Sequence, residues 1–425
     1  MNNFWIFSTG TELARGYSKD TNSSEIAQTL LENGFNVLGI SILPDDKKIL
    51  KSNFVEKLLE ENIDGIIITG GLGPTDDDHT VDVLREITQK EIIMHPETTK
   101  KIEEIAKIRN IDFDIAKKQA RILKESIPIL NPVGLAPGMI INYQNKVIIA
   151  LPGVPLEMKS MLSYVIEYLD KLRKKEFYEK KRFYLYNEPE SEFQKNFHHL
   201  QREVMGSFSF ISFTWGVSAN PGYLKVFVEN KEPRLSKKFA LLIEKIEEFY
   251  REKFLNQPIE WELQSIFVQN QKTLSIAESC TGGLLGKILT DIPGSSKYFL
   301  GTIVSYSNEL KINILKVPKE IIQTYGAVSK ECAEAMVEGV VNLTKSDYGI
   351  SITGIAGPDG GTKEKPVGTV FIGIKTPEKT EVHKIYYPSQ SRERIREYSA
   401  YTAIFLLYKE FYKNIKKDLQ KKHNN

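Results

Sequence analysis

The sequence predicts an α/β protein: an N-terminal parallel α/β domain over residues 1–172, a small α+β module over 173–257 and a C-terminal α/β domain over 258–425. Two observations predict the outer domains. Strand-length apolar runs alternate with helical stretches on both sides of the middle segment, the order that builds parallel sheets. Several of those runs open directly onto glycine-rich loops, as strands do at the ligand-binding edge of such sheets. A third observation sets the middle apart, where the order is strand, helix, strand, strand, helix.

Taken in order, residues 4–8 read as a strand opening onto Gly10. Residues 22–33 read as a helix whose Ile26, Leu30 and Leu31 share a face, stopped by Gly34. A strand over 37–43 and helical spacing over 54–61 follow. Gly65–Thr69 is apolar nearly throughout, as a strand covered on both faces must be. A helix over 76–88, a strand over 147–151 and a helix over 155–171 complete the domain. In the middle, 182–186, 208–214 and 223–228 read as strands and 192–204 and 235–254 as helices, with linkers at 171–181 and 256–258. Beyond it, 274–276, 299–306, 348–353 and 369–374 read as strands. A helix begins at 282, another over 330–344 places Cys332, Met336, Val340 and Leu343 in register, and 392–420 is a long closing helix.

The chain has 425 residues, 41% hydrophobic and 26% charged, enough for two or three cores without disulfides. Lys plus Arg total 57 against 55 Asp plus Glu, a net charge of +2. That balance argues against electrostatic capture of nucleic acid or of a membrane surface. The 2 cysteines, Cys280 and Cys332, exclude a disulfide scaffold and a cysteine-rich zinc site. No apolar run is long enough to span a bilayer. The first residues lack the basic and apolar regions of a signal peptide, so a cytoplasmic protein is expected.

Residues 275–283 (Ser-Ile-Ala-Glu-Ser-Cys-Thr-Gly-Gly) run from a strand through a tight turn into a helix. A hydroxyl on such a turn is held out of the core, and the N–H groups of the new helix can face an anion or a developing oxyanion. Ser279 and Thr281 read equally as helix N-caps. Residues 305–311 (Ser-Tyr-Ser-Asn-Glu-Leu-Lys) emerge at the end of another strand. Lys311 suits a base for a serine hydroxyl if its pKa falls by about three units from about 10.4. At 1.36 kcal/mol per unit that asks for about 4 kcal/mol of desolvation or like-charge repulsion. Otherwise it is a surface lysine opening a helix. Residues 351–361 place four glycines after a buried strand, either a backbone that approaches a ligand closely or a flexible turn. Spacing alone does not put Lys311 beside Ser279.

These stretches resemble the C-terminal domain of the CinA family, the nicotinamide-nucleotide amidases. The shared pieces are 277–283, 306–309 with Lys311, 326–329, and 353–361 with 365–369, within a resemblance over nearly all of 263–410. It implies hydrolysis of the carboxamide of nicotinamide mononucleotide to nicotinate mononucleotide and ammonia, without metal or cofactor. It puts Ser279 in the nucleophile's place, Lys311 in the base's place and Tyr306 as a supporting hydroxyl. Thr281, Gly282, Gly283, Thr353, Gly354 and Gly357 would line the substrate, and Arg392 or Arg396 would meet its phosphate. Ser391 stands where the family commonly has Asp. Cys280 is the rival nucleophile, being intrinsically more reactive.

Residues 69–78 (Thr-Gly-Gly-Leu-Gly-Pro-Thr-Asp-Asp-Asp) also follow an apolar strand and precede a helix. Thr75 reads as an N-cap with acids in the first turn. Three carboxylates exceed what capping requires, and they suit Mg²⁺ or a similar hard cation against a diphosphate, with Asp77 and Asp78 as its holders. With 10–13, 118–120, 131–138 and 151–158, this stretch resembles the N-terminal domain of the same family, related to molybdopterin-binding folds. In some members that domain looks like a metal-dependent ADP-ribose pyrophosphatase. The resemblance implies a site of Glu12, Gly71, Gly73, Thr75, Asp77, Asp78 and Lys118 and a divalent cation. Ala116 and the run 43–46 depart from the family's usual residues.

The leading expectation is an enzyme of pyridine nucleotide recycling with two activities, acting on nicotinamide mononucleotide and ADP-ribose, and by resemblance a homodimer. The alternative is a pterin- or nucleotide-binding protein of competence or DNA-damage response whose N-terminal domain is not catalytic.

Overall fold

The computed structural model describes residues 1–110, 112–173, 177–206 and 213–423, without the side chains of Arg109 and of 413–423. The chain divides into two compact units, Met1–Glu176 and Phe177–Asn425, so the expected middle module lies inside the second.

The first unit holds strands β1 (Asn3–Thr9), β2 (Asn36–Leu43), β3 (Gly65–Thr69), β4 (Ile92–Met94), β5 (Arg121–Leu123), β6 (Ile127–Ile129), β7 (Gly138–Tyr143) and β8 (Lys146–Leu151). The main sheet runs β2-β1-β3-β8-β7-β6, and β4 pairs with β5 apart from it. β2, β1, β3 and β8 are parallel, as the alternation predicts. The expectation of a wholly parallel sheet is corrected at β7 and β6, which join antiparallel. Only residues 144 and 145 separate β7 from β8, and a parallel partner needs a crossover of a dozen residues or more. β3 shows why its run is apolar. Ile66 and Ile68 pack with Phe54 and Leu84 on one face, while Ile67 packs with Ile26, Leu30 and Met161 on the other.

Two helices differ from expectation. The one expected over 54–61 spans Lys47–Leu59, because the Asp46 carboxylate accepts from the N–H groups of Lys48 and Ile49. The one expected over 76–88 begins only at Thr80. Pro96–Arg109, for which the sequence reading gives no element, is also helical.

The second unit begins with an antiparallel sheet of β9 (Glu179–Tyr186), β10 (Thr214–Asn220), β11 (Tyr223–Asn230) and β12 (Phe254–Leu255), in the order β10-β11-β9-β12. Helices Glu190–Met205 and Ser236–Tyr250 share its core. The strand expected over 208–214 falls mostly on 207–212, outside the described residues. A second sheet follows, of β13 (Leu274–Glu278), β14 (Phe299–Val304), β15 (Tyr348–Gly354), β16 (Thr369–Lys375) and β17 (Thr380–Tyr386), ordered β14-β13-β15-β16-β17. β14, β13 and β15 are parallel, and β16 and β17 are antiparallel additions. Helix Lys330–Thr344 buries Cys332, Met336 and Val340. Leu343, expected in the same register, is exposed at its last turn. The closing helix spans Arg392–His423.

Both units place a topological switch at their centre. The chain leaves β1 for β2 on one side and returns to β3 on the other. It leaves β13 for β14 and returns to β15 in the same way. The loops after β1 and β3, and after β13 and β15, therefore diverge and leave a crevice at the strands' carboxyl ends.

The two sheets of the second unit share one core. Tyr186 at the end of β9 stacks on Tyr223 and Phe405, and its hydroxyl accepts from the Ile259 N–H at 2.7 Å. Tyr186→Phe keeps the stacking and orphans that buried N–H, at a cost of about 1–3 kcal/mol. In a Trp5→Phe background, fluorescence reports only Trp215 and Trp261, both in this unit. The expected outcome is a lower urea midpoint, still in one transition.

Candidate active sites

In the C-terminal site, β13 ends at Glu278, and the next residues turn sharply through Gly282 (φ 60°) and Gly283 (φ 93°) into helix Leu284–Thr290. Glu278 is buried, and its carboxylate accepts from the N–H groups of Gly283, Leu285 and Gly286 at 2.9, 3.2 and 2.8 Å and from the Thr302 hydroxyl at 3.2 Å. Two expectations are corrected here. Those helix N–H groups face a carboxylate of the chain itself rather than a ligand. Neither Ser279 nor Thr281 caps the helix, whose N-cap position is Gly283 with no side-chain cap.

Ser279 is 8% exposed, with its N–H given to the Ile352 carbonyl at 2.9 Å. Lys311 lies on the short helix Asn308–Asn313, which Ser307 caps through the Leu310 N–H. That helix directs Lys311 inward, where it is 1% exposed. Its Nζ lies 3.0 Å from Ser279 Oγ, 2.7 Å from the Ser305 carbonyl and 3.3 Å from the Tyr306 carbonyl. Burial pushes the Lys311 pKa down from the ordinary lysine range. A neutral amine has two N–H donors and one lone pair. In that form the two carbonyls, which can only accept, would take the N–H groups and leave the lone pair for the Ser279 hydroxyl. Cys280 is buried beside them, and burial pushes its thiol up to about 12, so it carries no thiolate at neutral pH.

The remaining residues take varied places. The Tyr306 side chain is 59% exposed, and its hydroxyl accepts from Arg392 at 3.0 Å. Tyr306 thus meets Lys311 by its carbonyl and Arg392 by its hydroxyl. Arg392 also donates to the Gly357 carbonyl at 2.7 Å, which ties the closing helix to the loop after β15. Arg396 donates twice to the Thr281 carbonyl, at 3.2 and 2.7 Å. The Thr353 hydroxyl is turned to the Ala327 carbonyl at 2.7 Å. Gly354 ends β15, where a Cβ would meet the Thr369 carbonyl at 2.9 Å. The Thr281 hydroxyl is buried without a partner among the described residues. Glu278 is the residue sequence reasoning missed; its signal is a carboxylate inside an apolar strand a few residues before a helix.

The N-terminal site is a cleft of about 560 Å³ at the switch between β1 and β3. Gly70 and Gly71 have φ values of 107° and 68°, and a Cβ on Gly71 would collide with the Thr80 hydroxyl. A Cβ on Gly73 would lie 2.5 Å from Asp78 Oδ2. Thr75 is not a helix cap. Its N–H and hydroxyl donate to the Asp78 carboxylate at 2.8 and 2.5 Å, closing a separate turn ahead of the helix. Glu12, Asp77 and Asp78 line the cleft together with Asp45, whose carboxylate accepts from the Thr11 N–H. Lys118 reaches the glycine loop from outside, paired with the exposed Asp76 at 3.0 Å. Among the described residues no three His, Cys, Asp or Glu side chains form a cluster that holds a metal ion by themselves. The acids present suit a cation held by one or two carboxylates and a phosphate ligand, the usual habit of Mg²⁺.

No helix among the described residues is long and apolar enough to cross a membrane. Residues 256–411 match the family model described as "CinA C-terminal domain", and 5–171 match "Probable molybdopterin binding domain". A CinA-like protein of Leptospira biflexa serovar Patoc is 40% identical over 413 residues, 95% of this chain and 97% of its own. A CinA-like protein of Thermosipho melanesiensis is 38% identical over 408 residues, 95% and 98% of the two chains. Among solved structures, the competence/damage inducible protein CihA from Agrobacterium tumefaciens is 36% identical, covers 35% of this chain and 91% of its own, and has a TM-score of 0.35. The two matched domains, in this order, and relatives spanning nearly the whole length establish that the chain belongs to the CinA family.

Proposed function

We propose that the C-terminal site hydrolyses the carboxamide of nicotinamide mononucleotide to nicotinate mononucleotide and ammonia. The observation that carries this reading is the 3.0 Å contact between Ser279 and a buried Lys311. The neutral Lys311 amine takes the Ser279 proton as Oγ bonds to the carboxamide carbon. The resulting ammonium returns that proton to the amide nitrogen, the C–N bond breaks, and ammonia leaves an ester on Ser279. Water then attacks the ester carbon as Lys311 takes its proton; the C–Oγ bond breaks, the ammonium returns the proton to Ser279 Oγ, and nicotinate mononucleotide leaves. The Thr281 hydroxyl, without a partner among the described residues, would donate to the developing oxyanion. Arg392, at the surface beside Tyr306, would meet the phosphate.

The N-terminal cleft supports a second activity, divalent-cation-dependent hydrolysis of ADP-ribose. Its acid-lined wall beside a glycine loop carries that reading. Asp77 and Asp78 would hold the cation, which would offset the charge of the diphosphate.

Three outcomes are expected of the full chain. Ser279→Ala lowers ammonia release from nicotinamide mononucleotide by about a thousandfold or more, while Cys280→Ser stays within a few fold. Full activity in the serine variant ends the assignment. Only the neutral amine serves as base, so kcat/KM rises with pH through the Lys311 pKa, and that limb lies below the ordinary lysine range. Lys311→Arg, which stays charged, should be inactive at every pH tested. AMP release from ADP-ribose should require a divalent cation and be lost in Asp77→Asn/Asp78→Asn; release that is insensitive to both would place the chemistry elsewhere.

A further inference from the structure

The floor of the N-terminal cleft carries polar atoms that the fold leaves without partners. Ser8 Oγ, Thr9 Oγ1 and Asn22 Oδ1 line the cleft, are buried, and meet no hydrogen-bonding group among the described residues. Buried polar atoms are nearly always bonded, so three orphans at one cleft mark a place where a ligand completes them.

Their chemistry restricts that ligand. Asn22 Nδ2 donates to Thr69 Oγ1 at 3.0 Å and to the Gly153 carbonyl at 2.7 Å, and the Thr69 hydroxyl in turn donates to the Pro152 carbonyl at 2.9 Å. Both amide hydrogens are used, so the amide orientation is fixed and Oδ1 is an obligate acceptor. The hydroxyls of Ser8 and Thr9 donate or accept. The ligand must therefore offer an O–H or N–H donor beside groups that also accept. No aromatic side chain lines the cleft, so a base would have no ring to stack on. The charged wall of Glu12, Asp77 and Asp78 belongs to a cation-bearing part of the ligand, whereas these three atoms are neutral. Neighbouring hydroxyls of a sugar, each both donor and acceptor, meet all of these conditions.

We propose that Ser8, Thr9 and Asn22 form a subsite that reads the vicinal hydroxyls of a ribose-type sugar, and that it gives the cleft its selectivity for a nucleotide sugar over a plain diphosphate. The choice of probe rests on the ADP-ribose reading given above.

Calorimetry on the full chain with Mg²⁺ tests it, with ADP-ribose, inorganic pyrophosphate and an ADP-ribose analogue lacking the 2- and 3-hydroxyls of both riboses as probes. Ser8→Ala and Thr9→Val remove hydroxyls that bond nothing among the described residues, so the Tm of the free protein should hold or rise. Each should weaken ADP-ribose about tenfold and leave pyrophosphate unchanged. The deoxygenated analogue should bind wild type weakly and both variants equally. Variants that bind ADP-ribose as wild type does, while AMP release persists, overturn the subsite and leave the hydrolase reading standing. Variants that weaken pyrophosphate or the analogue equally assign the three atoms to phosphate or base and overturn it too. Sugar-dependent binding without AMP release keeps the subsite and overturns the hydrolase. If wild type binds no ADP-ribose, both fall.

Discussion

An amine buried without a carboxylate to neutralise it is the constraint on which the C-terminal site depends. Lys311 is buried near Cys280 and Cys332, and its three polar contacts are a hydroxyl and two carbonyls. A charged ammonium in such a place is penalised by desolvation, and no ion pair lowers that penalty. The one buried carboxylate next along the chain, Glu278, is held away by three backbone N–H groups and Thr302. Had Glu278 turned toward Lys311, the amine would be held charged and useless as a base. The same interaction that starts helix Leu284–Thr290 therefore keeps Lys311 basic.

The two sites share an architecture and differ in how the chain completes them. Each lies where a parallel sheet reverses its direction of growth, β1 against β3 and β13 against β15. In the C-terminal site the reacting groups already satisfy one another: Ser279 and Lys311 are mutual partners, and Arg392 and Arg396 hold loop carbonyls. Such preorganisation suits the proposed hydrolysis, whose geometry must be set before the substrate arrives. The N-terminal cleft instead leaves Ser8 Oγ, Thr9 Oγ1 and Asn22 Oδ1 without partners among the described residues.

Much of this was legible in the sequence, for physical reasons that can be named. Runs such as Gly65–Thr69 must be covered on both faces, which gave the layered fold. Glycines after strands marked both crevices. The pairing of Ser279 with Lys311 was not in the spacing; it came from family resemblance, because the two lie 32 positions apart with helix Leu284–Thr290 and β14 between them. The antiparallel strands β6 and β7 were missed because Pro128 and Gly138 break the alternation that marks a strand. Thr75 and its acids imitate a helix start so well that only the Thr75–Asp78 turn reveals the delay to Thr80. Asn22 read simply as the start of a helix. Its second role needs Thr69 and Gly153, distant in sequence, to fix its amide.

A fold that tolerates orphaned polar atoms reveals where it has been held back from greater stability. Each unsatisfied buried group costs about 1–3 kcal/mol, a large fraction of a net stability of about 5–15 kcal/mol. Ser8 lies on β1, between the buried Phe7 and the loop that carries Glu12. Alanine there would pack as well and cost nothing. Retaining a hydroxyl at such a position is intelligible only if the polar atom finds its partner in a second state of the molecule, and the cleft it lines is the place where that partner can enter. The same reasoning holds for the Thr281 hydroxyl at the mouth of the other sheet. Orphaned atoms occur elsewhere too, such as Gln201 Oε1 and Tyr298 Oη, and those line no cleft described above; an unsatisfied atom points to a ligand only where a cleft opens beside it.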